Sequence, residues 1–436
     1  KQGDEPKISF YDFKKKVIED YKIAVLSREC SYLGRREVFS GKGNFGIFGD
    51  GKELPQLAMN HFFENGDFRS GYYRDQTLLF AQGLLTVENV FAALYADLDL
   101  EREPMSGGRQ MGGHFVTASR DKEGNWLKIV DQKNHSGDIS PTGSQMPRLL
   151  GLAQASKIYR NLSTHNDALF SKKGNEIAWG TIGNASTSEG MFFETLNAAG
   201  VMQVPMVISV WDDEYGISVS NKDHTVKESI SEALKGFQRT EEASGFEIIT
   251  VKGWDYLALI EAYQFASKVA REDHVPVLVH VTELTQPLGH SSSGSHERYK
   301  SKDRLGWEKA HDCNDKMRAW IISEGFAQES EITQIEADAK KSVKISRIKA
   351  WSAYNEPILK EKEQLLCFFN ILKKSTHNDT QIQVIFSNLE KVIDLGYKDI
   401  ISAGRQIKIV LSNYPNANIQ DFQNWLTKLT SYLSER

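Results

Sequence analysis

Cysteine is scarce in this 436-residue sequence. Its three residues, Cys30, Cys313 and Cys367, lie far apart, with no CxxC and no Cys/His ligand spacing. That pattern points to a reducing compartment and away from structural zinc. No uninterrupted apolar run approaches the roughly 20 residues a membrane span needs. Neither sign of charge dominates: 53 basic against 58 acidic residues give a formal net charge of -5, and the pI is near 6.2. This balance argues against a nucleic-acid surface. Internal repeats and low-complexity segments are also absent. What is present, 40% hydrophobic and 25% charged residues, is the usage of a water-soluble globular protein. The length suits one large α/β domain with an appendage, or two domains.

The most informative stretch is 177–218, IAWGTIGNASTSEGMFFETLNAAGVMQVPMVISVWDDEYGIS. Ile177 to Ile182 reads as a buried strand ended by Gly183. Ser186, Thr187, Ser188 and Glu189 offer a helix start, and Gly200 a helix stop. A second buried strand runs from Pro205 to Val210 and ends at Asp212-Asp213. In such a strand–helix–strand unit a ligand site belongs beyond the carboxyl ends of the strands. Asn184 and Asp213 stand at those two ends. Neighbouring parallel strands are about 4.8 Å apart, so both side chains can reach one cation, with a backbone carbonyl from Tyr215. One carboxylate with neutral oxygens suits magnesium that also takes phosphate oxygens. Taken in isolation, the same two residues read as ordinary loop caps.

This stretch resembles the thiamine diphosphate motif, Gly-Asp-Gly followed some 25 to 30 residues later by Asn-Asn. TSEGMFFETLNAAG and EYGIS are similar, more narrowly, to the alpha subunit of the decarboxylating dehydrogenase component of 2-oxo acid dehydrogenase complexes. The likeness covers roughly Phe10 to Trp320. It departs from the family at the metal pair: Gly183-Asn184-Ala185 replaces Gly-Asp-Gly and Asp212-Asp213 replaces Asn-Asn. Acid-then-amide becomes amide-then-acid, with the carboxylate count kept. The resemblance implies Mg2+ on Asn184, Asp213 and Tyr215, with Gly183 and Ala185 beside the cofactor.

Other motifs keep the family's order. In Gly71-Tyr72-Tyr73-Arg74-Asp75 the resemblance implies that Tyr73 and Arg74 reach the cofactor diphosphate, a task suited to a guanidinium fork. Ser106-Gly107-Gly108-Arg109-Gln110-Met111-Gly112-Gly113-His114 is similar to a glycine-rich segment ending in an active-site histidine; His114 reads also as a structural one. Its wording leans towards branched-chain members. By the same resemblance Ser140 and Thr142, ahead of a helix at about 146–159, touch the cofactor aminopyrimidine. In Gly289-His290-Ser291-Ser292-Ser293-Gly294, a loop by composition, His290 is the catalytic candidate beside the diphosphate. Ser291 matches a regulatory phosphoserine of mitochondrial members, and Gly294 replaces a common Asp. A GxGxxG at Gly41, Gly43 and Gly46 has no buried strand before it and reads as turn chemistry, not as a dinucleotide fingerprint.

Further strands are expected at 247–251 and 275–281, around a helix at about 256–271. The alternation predicts an α/β fold: a parallel sheet with helices on both faces, followed by a mostly helical C-terminal segment. The expected division is 1–306 for the thiamine diphosphate-binding alpha-type domain and 307–436 for a helical connector. In the connector, Trp320, Ile332, Ile335, Ala339 and Val343 are inward candidates, as is the stripe Ile419, Phe422, Leu426 and Leu429. The resemblance implies oxidative decarboxylation of a branched-chain 2-oxo acid or pyruvate, with acyl transfer to lipoamide. It further implies a beta-type half or subunit, a lipoyl-bearing acyltransferase, and a homodimer of fused chains or an alpha2-beta2 assembly. The location would be the cytoplasm of a bacterium or the mitochondrial matrix. The glutamate that activates the cofactor would lie on the beta half, so this chain alone would be inactive. A transketolase, a non-catalytic assembly module and an NAD-type dehydrogenase are the competing readings. Assays of donor and acceptor, and titration with each cofactor, separate them.

Overall fold

The computed structural model describes residues 9–109, 111–162, 169–377, 379–414 and 419–434. Gln110 of the glycine-rich segment is outside the described residues. Six strands build one parallel sheet: β1 (Phe68–Ser70), β2 (Asn134–His135), β3 (Ala178–Gly183), β4 (Met206–Trp211), β7 (Glu247–Lys252) and β8 (Val277–Thr282). Their spatial order is β2-β1-β3-β4-β8-β7. The short strands β5 (Tyr215–Gly216) and β6 (Val219–Ser220) form a separate antiparallel ribbon just after β4.

Alternation along the strands divides the apolar side chains between two cores, because successive residues point to opposite faces. Trp179, Val207, Trp211, Val277 and Val279 enter one core with Val17, Leu57 and Tyr263. Those partners come from helices Phe10–Phe39, Glu53–Asn60 and Tyr256–Lys268. Ala178, Ile182, Met206, Ile208 and Leu278 enter the other with Leu149 and Phe192, from helices Gln145–Asn161 and Gly190–Met202. Both faces are therefore covered. This is the α/β architecture that the alternation of strands and helices predicts.

Two local expectations are corrected. The helix after β3 begins at Gly190, behind a single 3-10 turn at Ala185–Ser188, so the hydroxyl cluster precedes the helix. Gly200 is inside that helix and does not stop it. A Cβ there would meet Phe246 at an ordinary 3.5 Å, and the stop is Gln203, left-handed at φ 48. The glycine-rich stretch 40–52 is a loop, as expected, and leads directly into helix Glu53–Asn60.

Beyond residue 300 the chain is helical. Ile332 and Ala339 are buried in the first core, with Trp320 and Ile335 against it, and Val343 is buried beside Phe91 and Tyr95. The 47-residue helix Glu329–Ser375 continues into a third cluster. There Ile358, Leu365 and Leu372 meet Phe386, Ile407, Phe422, Leu426 and Leu429, with Ile419 packed alongside. No helix among the described residues is long and apolar enough to cross a membrane.

Candidate active site

The carboxyl ends of β1, β3 and β4 open onto one cavity of about 260 Å³. A sheet of this kind places ligands there. Tyr73, Arg74, Thr142, Gly183, Asn184, Ala185, Asp213, Tyr215 and His290 all line it. Sequence positions more than 200 residues apart thus share one wall.

The turn after β1 is held from beneath. Arg69 is fully buried; it donates to Asp75 at 2.7 Å and to both oxygens of Asp138 at 2.7 and 2.8 Å. Asp75 also accepts from the Trp211 indole at 3.1 Å, tying β1 to β4. Asp138 accepts from the Phe115 N–H at 3.0 Å. Paired charges of this kind are tolerated inside only when their hydrogen bonds are filled.

Above this base, Arg74 donates to the Phe48 carbonyl at 2.6 Å, to the His290 carbonyl at 2.8 Å, and to His290 Nδ1 at 3.1 Å. A guanidinium cannot accept, so His290 Nδ1 is the acceptor and its proton sits on Nε2. Burial and the neighbouring Arg74 charge lower the His290 pKa to about 4, against the opposing pull of Asp213. The imidazole is neutral at physiological pH, with an N–H available as donor. Its loop is anchored through Arg35, which donates to the carbonyls of Leu288 and Ser291, and through Ser292, whose Oγ accepts from the Gly46 N–H at 2.8 Å. Gly294, where the family often has Asp, needs no carboxylate for that anchoring. Ser291 is buried, and its Oγ is 2.8 Å from that of Ser293.

Lys52 lines the same cavity, and the sequence reading missed it. Its ammonium donates to Asp213 at 2.9 Å, to the Thr285 carbonyl at 3.1 Å and to Gln286 Oε1 at 2.7 Å. Burial alone would raise the Asp213 pKa, but Lys52, Lys300 and Arg74 outweigh it and hold the carboxyl below the usual range. Asn184 donates to Asn221 at 2.8 Å, and Asn221 donates in turn to Asp212. Tyr215 donates its N–H to Asp213 at 3.3 Å. Among the described residues no group of three or more His, Cys, Asp or Glu could hold a metal ion. The expected trio of Asn184, Asp213 and Tyr215 is brought together, but its single carboxylate is already paired to an ammonium. This donor set does not fit a divalent cation as arranged.

His114 and Ser140 are not on this wall. His114 Nε2 is 2.8 Å from Ser140 Oγ and its Nδ1 is 2.8 Å from the Met111 carbonyl; it borders a neighbouring apolar pocket with Phe45, Leu85 and Phe115. Thr142, which does line the cavity, donates to Glu189 at 3.0 Å. Lys52 and Asp138 carried no chemical signature in the sequence, because their partners lie far along the chain.

The fold and the cavity define a parallel α/β protein with an anion-suited site at its strand ends. The sequence model of the "Dehydrogenase E1 component" family matches residues 21–358. The chain belongs to that family. It is 26% identical over 325 residues to the 2-oxoisovalerate dehydrogenase subunit alpha of Bacillus subtilis (strain 168), covering 74% of this chain and 86% of that one. It is 27% identical over 338 residues to the pyruvate dehydrogenase E1 component subunit alpha of Acholeplasma laidlawii, covering 77% and 82%. With the 2-oxoisovalerate dehydrogenase subunit alpha 1 of Arabidopsis thaliana the identity is 24% over 305 residues, covering 70% and 56%. The resemblance to alpha subunits of 2-oxo acid dehydrogenases is borne out.

Proposed function

We propose that the chain binds thiamine diphosphate in the cavity at the strand ends. Together with a beta-type half it would oxidatively decarboxylate a 2-oxo acid and pass the acyl group to lipoamide on an acyltransferase. The observation that carries this reading is the Arg74–His290 pair: a buried guanidinium and a neutral imidazole on the wall where the family reading puts the diphosphate. When bound, the cofactor would supply the nucleophile and electron sink for decarboxylation. Arg74 and Tyr73 would hold the diphosphate, with Gly183 and Ala185 leaving room for it. His290, with its proton on Nε2, would donate a hydrogen bond towards substrate oxygen. His114 and Ser140 would act as a joined pair from the adjoining pocket.

Branched-chain substrates are favoured over pyruvate, since the Bacillus relative is a 2-oxoisovalerate enzyme. The same proposal includes a homodimer of fused chains or an alpha2-beta2 assembly, in the cytoplasm or mitochondrial matrix. It treats 307–436 as a connector beyond the 1–306 domain; the separate apolar cluster supports this from Ile358 onward, whereas Met317, Ile332 and Ala339 pack into the first core. The test is carbon dioxide release from 2-oxoisovalerate and from pyruvate by the chain alone and by the chain combined with its beta-type partner. Turnover only in the combination supports the reading. Full turnover by the 436-residue chain would remove the need for a second half, and none in either case would remove the activity.

A further inference from the structure

We infer that this site takes its diphosphate group without a divalent metal ion, the ammonium of Lys52 supplying fixed positive charge where the family reading expects the ion; the inference rests on the cofactor reading above. Three observations carry it. First, the ammonium is fully engaged: three N–H donors meet three acceptors, Asp213, the Thr285 carbonyl and Gln286. Magnesium demands near-octahedral oxygens at about 2.0–2.1 Å, and the one expected carboxylate is here bound to a cation of like sign to the metal. Second, the neighbouring carboxylate of the Asp212-Asp213 pair is engaged as well, and Glu189, on the same cavity wall, accepts from Thr142. Asp212 accepts from His280 at 2.8 Å, if that ring nitrogen carries the proton, and from Asn221 and the Glu214 N–H. Asn184 brings only a neutral amide.

Third, the position of Lys52 is built into the backbone. Gly51 has φ +81, and a Cβ on it would stand 2.1 Å from the Thr285 carbonyl oxygen that Lys52 binds. A Cβ on Gly49 would stand 2.2 Å from the Arg74 carbonyl oxygen. These glycines let the loop press the Lys52 backbone against the last strand's exit and against Arg74. Lys52 cancels the charge of Asp213, and Arg74 leaves the wall net positive towards an anion. A dication added here would face a wall that is already net positive.

The test is calorimetric titration of the full chain with thiamine diphosphate and with inorganic diphosphate, each in excess magnesium and in excess chelator. Dissociation constants that agree within about threefold between the two buffers are expected. Binding at least about tenfold weaker in chelator overturns the inference while keeping the cofactor reading. Absence of binding by both ligands in both buffers overturns the two together. The wild-type comparison depends on no variant. Lys52→Gln, checked for folding by circular dichroism, should lose at least about tenfold in affinity in chelator and recover part of it with magnesium. Unchanged affinity of the folded variant in chelator would also overturn the role of the ammonium.

Discussion

The sheet core and the C-terminal helical cluster bury different things. Around the sheet, Arg28, Lys52, Arg69, Arg74, Asp75 and Asp138 are all buried. Beyond Asp312 no described charged side chain is buried, and Thr376 is the one buried polar residue after Asn314. The helices from Ile358 to Leu433 are joined mainly by apolar and aromatic side chains. Buried ion pairs add little net stability compared with apolar packing, because desolvation offsets attraction. Their concentration beneath and around one cavity therefore marks geometry held for chemistry.

That contrast can be tested most severely at Arg69. Arg69→Met leaves Asp75 and Asp138 buried without their shared cation, and should destabilise the protein by about 3–5 kcal/mol. Chemical denaturation would show it; a change below about 1 kcal/mol would mean that the pair is not load-sharing as its geometry implies. In the other region, Leu426→Ala should cost about 2–5 kcal/mol. Its side chain closes onto Gly404, where a Cβ would be 2.8 Å from Leu426 Cδ1. Ligand affinity at the strand ends should not change, and a parallel loss there would couple the two regions.

Arg74→Ala should weaken thiamine diphosphate by roughly ten- to a hundredfold, the effect of losing about 1.5–3 kcal/mol of charge-assisted bonding. Calorimetry on the complex with the beta-type partner checks this, and an unchanged constant would place Arg74 outside the anion site. The smallest expected effect concerns His290. Its pKa falls to about 4 on folding, from about 6.5 in the unfolded chain. The unfolded state therefore binds more protons between these values, and stability falls as pH drops through that window. The contribution reaches about 2 kcal/mol at pH 5. His290→Gln should lose less stability than the wild type between pH 7 and 5, as read from paired urea titrations. Identical slopes would show that His290 is not buried as described.

Much of the sheet was legible because its central strands are continuous apolar runs. The structure begins β3 and β4 one residue beyond the expected starts, at Ala178 and Met206. The edge was not legible: β1 and β2 have three and two residues, and carry Arg69, Asn134 and His135 where a strand pattern would show apolar side chains. Gly200 misled because a glycine inside a helix is indistinguishable, in one sequence, from a glycine that ends one. The candidate wall was largely recovered through motif order, from Tyr73 to His290. Lys52 was not, since it sits in a glycine-rich loop 161 residues before Asp213, and nothing local announces a cation. His114 lies with Ser140 beside a neighbouring pocket and not on this wall.

Helix Glu329–Ser375 touches every apolar cluster except the one on the far face of the sheet. At 1.5 Å per residue it is a rod about 70 Å long. Pro357 lies within it, and with no N–H to donate to the carbonyl four residues earlier it is the rod's softest point. Mechanically the helix is a lever with its fulcrum between the two regions. The arm from Pro357 to Ser375 is about 27 Å, so a tilt of about 10° there would carry its tip by about 5 Å. A pair of spin labels, one on each side of Pro357, would therefore register a rearrangement in the C-terminal cluster as a distance change far larger than any in the sheet.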